Sequence, residues 1–426
     1  MKKIILWILL LGFVSANAQD TLSVLQYNLL NYGNYTSYCT SNNNKYTTKD
    51  NYIKTIIHYI KPDIFSVNEI SGSKSIHSHL LNEALNTDGI DYFSMAPSIS
   101  DPDEYLVNML YYNHNKLGLA DHQIAQSYVR DVDVYKLYYK STSLAVGDTT
   151  FLYCVVAHLK AGSDYGNQRT VMARNTMTYI GSHHPDENYL LMGDFNLYSD
   201  REGAFQQFVD NSNVSIRFHD PAKMIGDWHN NADFSMVHSQ STHTSSNGCA
   251  STGGMDDRFD FILISNNIKN NIKKIAYLDG SYRVVGQDGK HFNRALTDSP
   301  QNTSVPASVL NALYNNSDHL PVNLKLLVNG PVGVPQYAQS AFDRIEFINP
   351  VKGNELKIHL QLLSDTRVKI ELYSLLGKRM LRFTRSSLRK GDNQFSINVS
   401  DLPRGMYVIR FTDGNGLSQS RKLVKR

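Results

Sequence analysis

The chain has 426 residues, which is too long for one ordinary domain and long enough to bury a large core. Its formal net charge of +3 is unevenly distributed, because residues 342–426 hold 17 Lys and Arg against 8 Asp and Glu. Residues 19–341 hold 23 basic and 31 acidic residues, a net charge of −8. This acidic part argues against a broad electrostatic grip on nucleic acid, which needs a basic surface.

The first 18 residues have the pattern of a secretory signal peptide. Lys2 and Lys3 precede an apolar stretch from Ile4 to Val14, and Ala16 and Ala18 are the small residues before the expected cleavage. An uncleaved membrane anchor is the alternative, but the stretch is short for a bilayer span. We therefore expect an exported protein without stable membrane insertion.

Strand-like and helix-like patterns alternate from Thr21 to about Asn329. The predicted strands are 23–27, 64–69, 109–112, 151–158, 189–192, 259–264 and 320–328, and helical patterns occupy 49–60, 76–85, 168–180 and 202–209. Between them lie long polar loops at 210–257 and 276–316, and loops of that length usually carry function or are partly mobile. We predict an α/β domain over residues 20–329.

The pattern changes near the end of the chain. Residues 330–341, GPVGVPQYAQSA, are typical of a linker. Residues 342–426 consist of short alternating runs separated by glycines, and they predict a small C-terminal β-sandwich.

Three cysteines are present. Cys39 and Cys249 both lie in polar, loop-like sequence, so either one disulfide between them or two free thiols is compatible with the pattern. Cys154 lies inside a strand-like run, where we expect a small core residue.

Polar residues stand at the edges of the apolar runs, in the order Asn28, Glu69, His158, Asp194 with Asn196, Asp260, and Asp318 with His319. Each one alone has a structural explanation as a turn former, a cap or a core histidine. Within GDFN, strand alternation predicts that Asp194 and Asn196 point to the same side, which suits the holding and activation of a water. The series as a whole favours a catalytic site.

With these residues in this order, the segment from Thr21 to Val328 resembles the endonuclease/exonuclease/phosphatase superfamily, which has the deoxyribonuclease I-like fold. The motifs GDFN and SDH, together with Asn28, Glu69 and His158, carry the resemblance. It implies an α+β sandwich of two mixed β-sheets packed face to face with outer helices. It also implies an active site at one edge and metal-assisted hydrolysis of a phosphate ester.

The resemblance implies a metal site made of Asn28, Glu69 and Asp318. Oxygen ligands of this kind suit Mg²⁺, with Ca²⁺ or Mn²⁺ as alternatives, and do not suit zinc. The metal would neutralise charge on the phosphate and on the leaving oxygen.

The same resemblance implies five catalytic residues. Asp194 would orient and deprotonate the attacking water, and Asn196 would hold that water or a phosphate oxygen. His319 would hydrogen-bond the phosphate while Asp260 fixes its tautomer and favours its charged form. His158 would face the phosphate as a second group.

The sequence identifies substrate-binding residues less clearly than catalytic residues. Lys160 and Arg258 are candidates for phosphate contacts, although surface or structural salt bridges explain such residues equally well. Ser71 stands where pancreatic-type nucleases have an arginine that enters the minor groove, and this difference weighs against groove binding. Three aromatic residues of the long loops could stack on bases or sugars, or could pack in the core: Trp228, Phe234 and Tyr282.

The tail carries a second resemblance. Residues 347–426, and the segment LPRGMYVIR most specifically, resemble the C-terminal sorting domain of the type IX secretion system of Bacteroidetes. This implies contact with the type IX machinery and either release from the cell or attachment to its surface. An Ig-like binding module is the alternative.

The sequence thus predicts a secreted, metal-dependent phosphodiesterase, a nuclease that hydrolyses extracellular DNA or RNA as a monomer. One alternative is a lipid or small-molecule phosphoesterase of the sphingomyelinase or inositol phosphatase kind. Another is a family member that binds a partner without catalysis.

Overall fold

The computed structural model describes residues 20–100, 105–140, 149–328, 341–374, 378–414 and 418–426. The chain divides into two compact units between Val332 and Gly333. The predicted signal peptide, residues 1–18, lies outside the described residues, and so does the predicted linker 330–341 except for Ala341. In the described ranges, no helix combines the length and the hydrophobicity that crossing a bilayer requires.

The N-terminal unit is built from strands and helices that alternate along the chain. Its strands are β1 (Asp20–Tyr32), β2 (Ile64–Ser71), β3 (Phe93–Met95), β4 (Leu106–Asn113), β5 (Leu117–Gln126), β6 (Val132–Tyr139), β7 (Phe151–His158), β8 (Tyr189–Asp194), β9 (Phe218–His219), β10 (Asp260–Ser265), β11 (Ile275–Tyr277), β12 (Arg283–Val284) and β13 (Val322–Val328). Its helices are α1 (Tyr46–Ile60), α2 (Lys74–Leu80), α3 (Gly166–His183), α4 (Gly203–Val209), α5 (Asn266–Lys269) and α6 (Ala307–Asn316).

These strands form two mixed sheets. The first has the order β11-β13-β1-β2-β4-β3, with β12 also paired to β13, and the second has the order β5-β6-β7-β8-β10-β9. Val67 of the first sheet and Val156 of the second belong to one buried core, so the sheets pack face to face. The neighbouring Val155 points the other way and packs with Met172 of α3 and Phe205 of α4. The predicted α/β sandwich with outer helices is confirmed.

Pairing directions determine where the strands end. β1 runs parallel to β2, with Asn28 opposite Asn68, and β7 runs parallel to β8, with His158 opposite Asp194. β10 runs antiparallel to β8 and begins at Asp260, directly opposite Asp194. The ends of these strands therefore meet at one edge of the sandwich, which we call the site edge.

The hairpin of β5 and β6 is a difference from the predicted elements, since no strand was expected between residues 113 and 150. The burial pattern of β5 is irregular, with Ala120 and Asp121 both exposed, because the pairing shifts register between Leu119 and Asp121. The alternation that marks a strand in sequence is lost at this irregularity.

The C-terminal unit is a small sandwich of two antiparallel sheets, as predicted. Its strands are β14 (Phe342–Phe347), β15 (Glu355–Leu362), β16 (Thr366–Ser374), β17 (Arg379–Leu388), β18 (Gly391–Asn398), β19 (Gly405–Thr412) and β20 (Ser418–Lys425). The sheets have the orders β14-β15-β18 and β17-β16-β19-β20. Alternate residues such as Ile358, Ile370 and Ile409 form the core between them.

A disulfide joins Cys39 to Cys249 across 210 residues of chain. Cys39 lies in the loop after β1, and Cys249 lies in the long loop before β10, so the bond ties together two loops near the site edge. Cys154 is a buried free thiol on β7, as expected.

We expect the Cys39→Ser/Cys249→Ser double variant to unfold more easily than the wild type, by about 2–5 kcal/mol, because the bond closes a long loop in the unfolded chain. Denaturant unfolding followed by tryptophan fluorescence measures this difference. A reducing agent should destabilise the wild type and leave the double variant unchanged. Equal effects on both proteins would contradict a structural role for the bond.

Candidate active site

Three ligand-type side chains converge at the site edge. Glu69, His158 and Asp194 each place one ligand atom within 4.8 Å of the other two. The Nε2 atom of His158 lies 3.5 Å from Oδ2 of Asp194 and 3.8 Å from Oε1 of Glu69. Glu69 comes from one sheet and the other two residues from the second sheet, so the face-to-face packing assembles this group.

Asn28 lies between the two carboxylates and holds them together. Its Nδ2 atom donates to Oε1 of Glu69 at 3.1 Å and to Oδ2 of Asp194 at 3.0 Å. Its Oδ1 atom accepts from the backbone N–H of Leu30 at 2.9 Å. The backbone N–H of Asn31 donates to the other oxygen of Glu69 at 3.1 Å. Asn28 is thus at the predicted site, with its nitrogen rather than its oxygen towards the carboxylates.

A second group joins His319 to Asp260. The Nδ1 atom of His319 lies 2.7 Å from Oδ2 of Asp260, which also accepts from the hydroxyl of Ser239 at 2.8 Å. The Nε2 atom of His319 lies 3.8 Å from Oδ2 of Asp194 and 3.9 Å from Oδ1 of Asp318. Asp260 therefore fixes the ring so that Nε2 faces the other acidic residues.

The turn after β8 positions Asp194. A Cβ on Gly193 would lie 1.7 Å from the carbonyl oxygen of Ala157, so only glycine fits there. β8 ends at Asp194, and Asn196 has a left-handed φ of 50°. Its backbone N–H donates to Oδ1 of Asp194 at 3.0 Å, and its side-chain amide donates to the carbonyl of Leu159 at 3.2 Å. The extended strand expected from Asp194 to Asn196 is not present, because β8 ends at Asp194 and the backbone of Asn196 is left-handed.

Burial and neighbouring charges shift the protonation of these groups. Burial raises the pKa of Asp194 to about 7; the positive ring of His319 opposes the rise, and Asp260 and Glu69 add to it. Burial disfavours a charge on His319, but Asp260 and Asp194 outweigh it and hold the pKa of that ring well above its ordinary value. Burial, with Arg130 and His319, lowers the pKa of His158 well below its ordinary value. At neutral pH His319 is charged and His158 is neutral.

Asp318 lies on the far side of His319 from Asp260. Its Oδ2 atom accepts from the backbone N–H of Ser251 at 2.7 Å. Its Oδ1 atom is buried and has no hydrogen-bond partner among the described residues. The structure groups Glu69 with His158 and Asp194, and Oδ1 of Asp318 lies beside this group.

The structure contradicts a substrate-binding role for Arg258. Its side chain is fully buried, and its two terminal nitrogens lie 2.9 and 2.7 Å from the oxygens of Asp220. Trp228 is equally buried and donates to the carbonyl of Leu197 at 2.7 Å, so it serves as a core residue. Lys160 remains near the site, with its ammonium 4.3 Å from the ring centre of Tyr165.

A layer of buried amides beneath the site was not predicted. Oδ1 of Asn68 accepts from the backbone N–H of Asp194 at 2.9 Å, and its Nδ2 donates to Asn108 at 2.7 Å. Asn108 in turn donates to Asp133 at 3.0 Å, and Asp133 lies 2.8 Å from His122. Asn68 could have been found from its place directly before Glu69 in an otherwise apolar strand. Asp133 lies on β6, in the β5–β6 hairpin that the sequence pattern does not predict.

Several solved structures are similar to this chain. A protein of the endonuclease/exonuclease/phosphatase family from Bacteroides thetaiotaomicron is 15% identical, with 73% of this chain and 96% of that chain covered and a TM-score of 0.44. A mannosyl-6-phosphatase from the same organism is 16% identical, with 72% and 99% covered and a TM-score of 0.43. The human Nocturnin catalytic domain with bound sulfate is 14% identical, with 72% and 97% covered and a TM-score of 0.42.

No curated protein matches the chain at a significant level. One family model matches, that of the secretion system C-terminal sorting domain, over residues 347–426. The predicted sorting domain is therefore confirmed for this part of the chain, and it indicates export to the cell surface or beyond.

Proposed function

We propose that the N-terminal unit is a metal-dependent phosphodiesterase, a nuclease that hydrolyses extracellular DNA or RNA. The observation that carries this proposal is the convergence of Glu69, His158, Asp194 and the Asp260–His319 pair at the site edge. These residues supply an acidic cluster, a group able to accept a proton and a charged donor, which are the parts that water attack on a phosphate ester requires.

The residues present fit a hard divalent cation. Four acidic residues, Glu69, Asp194, Asp260 and Asp318, lie close to two imidazole rings of which only that of His319 is charged. Excess negative charge at a buried site is unfavourable unless a cation compensates for it. The unpartnered Oδ1 of Asp318 points to the same need.

Glu69 would hold this cation beside Asp194, with Asp318 as a further oxygen donor, while the Asn28 amide, whose Oδ1 accepts from Leu30, orients the two carboxylates. Carboxylate and amide oxygens favour Mg²⁺, and Ca²⁺ or Mn²⁺ accept the same donors. When bound, Mg²⁺ would supply positive charge that stabilises the phosphate and the leaving oxygen.

The side chains of the site carry out the other steps of the reaction. Asp194 accepts the proton of the attacking water, since its carboxylate lies at the site edge between the Asn28 amide and the ring of His319. Asn196 keeps the carboxylate oriented through its backbone N–H. His319 donates from Nε2 to a phosphate oxygen, and Asp260 holds its ring and its charge. The neutral His158 faces the phosphate from the other side.

Export by the type IX system supports an extracellular substrate. The C-terminal unit matches the sorting domain family over residues 347–426, and the N-terminal pattern predicts a signal peptide over residues 1–18. An exported phosphodiesterase meets nucleic acid released from other cells.

We expect EDTA to abolish hydrolysis and the His319→Ala variant to lower kcat about 10²- to 10⁴-fold, because the variant removes the charged donor to the phosphate. Plasmid DNA, RNA, sphingomyelin and bis(p-nitrophenyl) phosphate are the substrates to compare, with Mg²⁺ or Ca²⁺ added. His183→Ala is the matched control, since His183 is exposed at the end of α3, away from the site edge. Turnover in EDTA would overturn the mechanism, and hydrolysis of sphingomyelin alone would favour the lipid phosphoesterase.

We expect Mg²⁺ to stabilise the protein more as the pH rises through about 7. The pKa of Asp194 is 3.8 in an unfolded chain and about 7 in the metal-free fold. The extra stability from the protonated carboxyl is thus complete below 3.8 and is lost as pH rises through about 7, where the cation can replace the proton. Thermal unfolding at about pH 5.5 and about pH 8, with and without Mg²⁺, measures the difference.

The Asp194→Asn variant should lose this pH dependence, because it has no proton to exchange for the cation. Asp88→Asn, at an exposed position, should retain it. Stabilisation by Mg²⁺ that is equal at both pH values in the wild type would argue against a cation site at Asp194.

We expect a variant truncated after Val328 to remain in the periplasm of a type IX-competent host, because it lacks the sorting domain. The full-length protein should reach the surface or the medium. Cell fractionation with immunoblotting measures the distribution. Equal export of both forms would show that the tail is not required for sorting.

A further inference from the structure

Exposed aromatic rings gather at the site edge. Among the described residues of the N-terminal unit, the exposed aromatic side chains other than histidine are all tyrosines: Tyr35, Tyr38, Tyr59, Tyr105, Tyr128 and Tyr165. All of them except Tyr59 lie in loops at the site edge, whereas Tyr59 lies near the end of α1 at the opposite edge. Exposed aromatic rings in the connections beside a candidate site are candidates for contact with a ligand.

Tyr105 stands next to the acidic cluster. Its ring is 82% exposed. The following residue, Leu106, pairs with Ser71, and the backbone N–H of Gly72 donates to the carbonyl of Tyr105 at 3.3 Å. These contacts place Tyr105 beside the strand end that carries Glu69.

Tyr128 and Tyr165 lie in two connections of the second sheet. Tyr128 is in the turn between β5 and β6, where Val132 pairs with Ala157, the residue before His158. Tyr165 ends the short 3-10 helix Ser163–Tyr165, in the connection that follows His158. The three tyrosines therefore come from three separate connections that adjoin strands of the site edge.

Two cations accompany these rings. The ammonium of Lys160 lies 4.3 Å from the ring centre of Tyr165, and the guanidinium of Arg130 donates to the carbonyl of Leu159 at 2.7 Å. Arg130 lines a small cleft together with Leu106 and His158. Leu106 follows Tyr105 in the chain, so this cleft lies between the segment of Tyr105 and the second sheet. Local positive charge is thus present at an edge of an otherwise acidic unit.

We propose that the site edge binds an unpaired nucleic-acid strand, with bases stacked on Tyr105, Tyr128 and Tyr165 and phosphates directed towards Arg130 and Lys160. This inference rests on the proposed phosphodiesterase function and narrows its substrate class. Base faces are free for stacking on side chains only in unpaired strands, and aromatic platforms beside cations are the usual means of binding them.

A choline head group, as in sphingomyelin, also binds aromatic rings. The cations at this edge disfavour it, because the positive charges of Lys160 and Arg130 would repel a quaternary ammonium. The same two cations attract the phosphates of a nucleic-acid strand.

The test compares a single-stranded oligonucleotide with the same sequence in a duplex. We expect the wild type to have a higher kcat/KM for the single strand. Tyr105→Ala, Tyr128→Ala and Tyr165→Ala should each raise KM for it about 5- to 100-fold, since each removes one stacking platform. The corresponding Phe variants should retain the wild-type KM because the ring is kept. Tyr59→Ala, at the opposite edge, is the matched control.

Binding of a fluorescent single strand in EDTA, measured by anisotropy, separates this inference from the proposed function. Binding that depends on the tyrosines without any hydrolysis in Mg²⁺ would remove the proposed nuclease and keep the strand-binding surface. Equal kcat/KM for duplex and single strand would overturn the inference, and so would Ala variants that behave like Tyr59→Ala. Selective loss of sphingomyelin hydrolysis in those variants would assign the rings to a lipid head group.

Discussion

The N-terminal unit concentrates acidic groups where two sheets meet. The other residues of the site supply the hydrogen-bond donors and positive charge that these buried carboxylates need. Glu69 and Asp194 share the amide of Asn28, while Asp260 is neutralised by His319. Each carboxylate in a poorly hydrated place needs a donor or a counter-charge. The donors in the fold satisfy part of this need. Burial, with the remaining negative charge of Asp260 and Glu69, raises the pKa of Asp194, and that negative charge favours a cation.

The arrangement depends on strand direction as much as on residue type. Parallel pairing of β1 with β2 and of β7 with β8 brings four strand ends to one edge, and antiparallel β10 adds its first residue. Face-to-face packing then places Glu69 of one sheet beside His158 and Asp194 of the other. Asn68 strengthens this junction, because it accepts from the backbone of Asp194 across the sheet interface.

The two-sheet sandwich and the meeting of the site residues at one edge followed from the family resemblance. Sequence patterns alone were sufficient for the alternating strands and helices, for the C-terminal unit and for the polar residues at strand ends. These features depend on local periodicity and on polar residues at strand ends, which a single sequence contains. The burial of Arg258, the turn at Asn196 and the layer formed by Asn68 and Asp133 depend on contacts between distant segments. Sequence spacing holds no record of such contacts, so a buried arginine and a surface arginine look alike. The pairing of Cys39 with Cys249 was left open for the same reason.

The disulfide can form only after the protein has left the cytosol of the cell that makes it. Thiols stay reduced in the cytosol, and disulfides form after a chain has left it. The loops carrying Cys39 and Cys249 therefore become fastened to each other only outside the cytosol, and Asn31, which donates to Glu69 through its backbone, also contacts the sulfur of Cys39. The loop that contacts Glu69 is thereby anchored to its neighbour only after export.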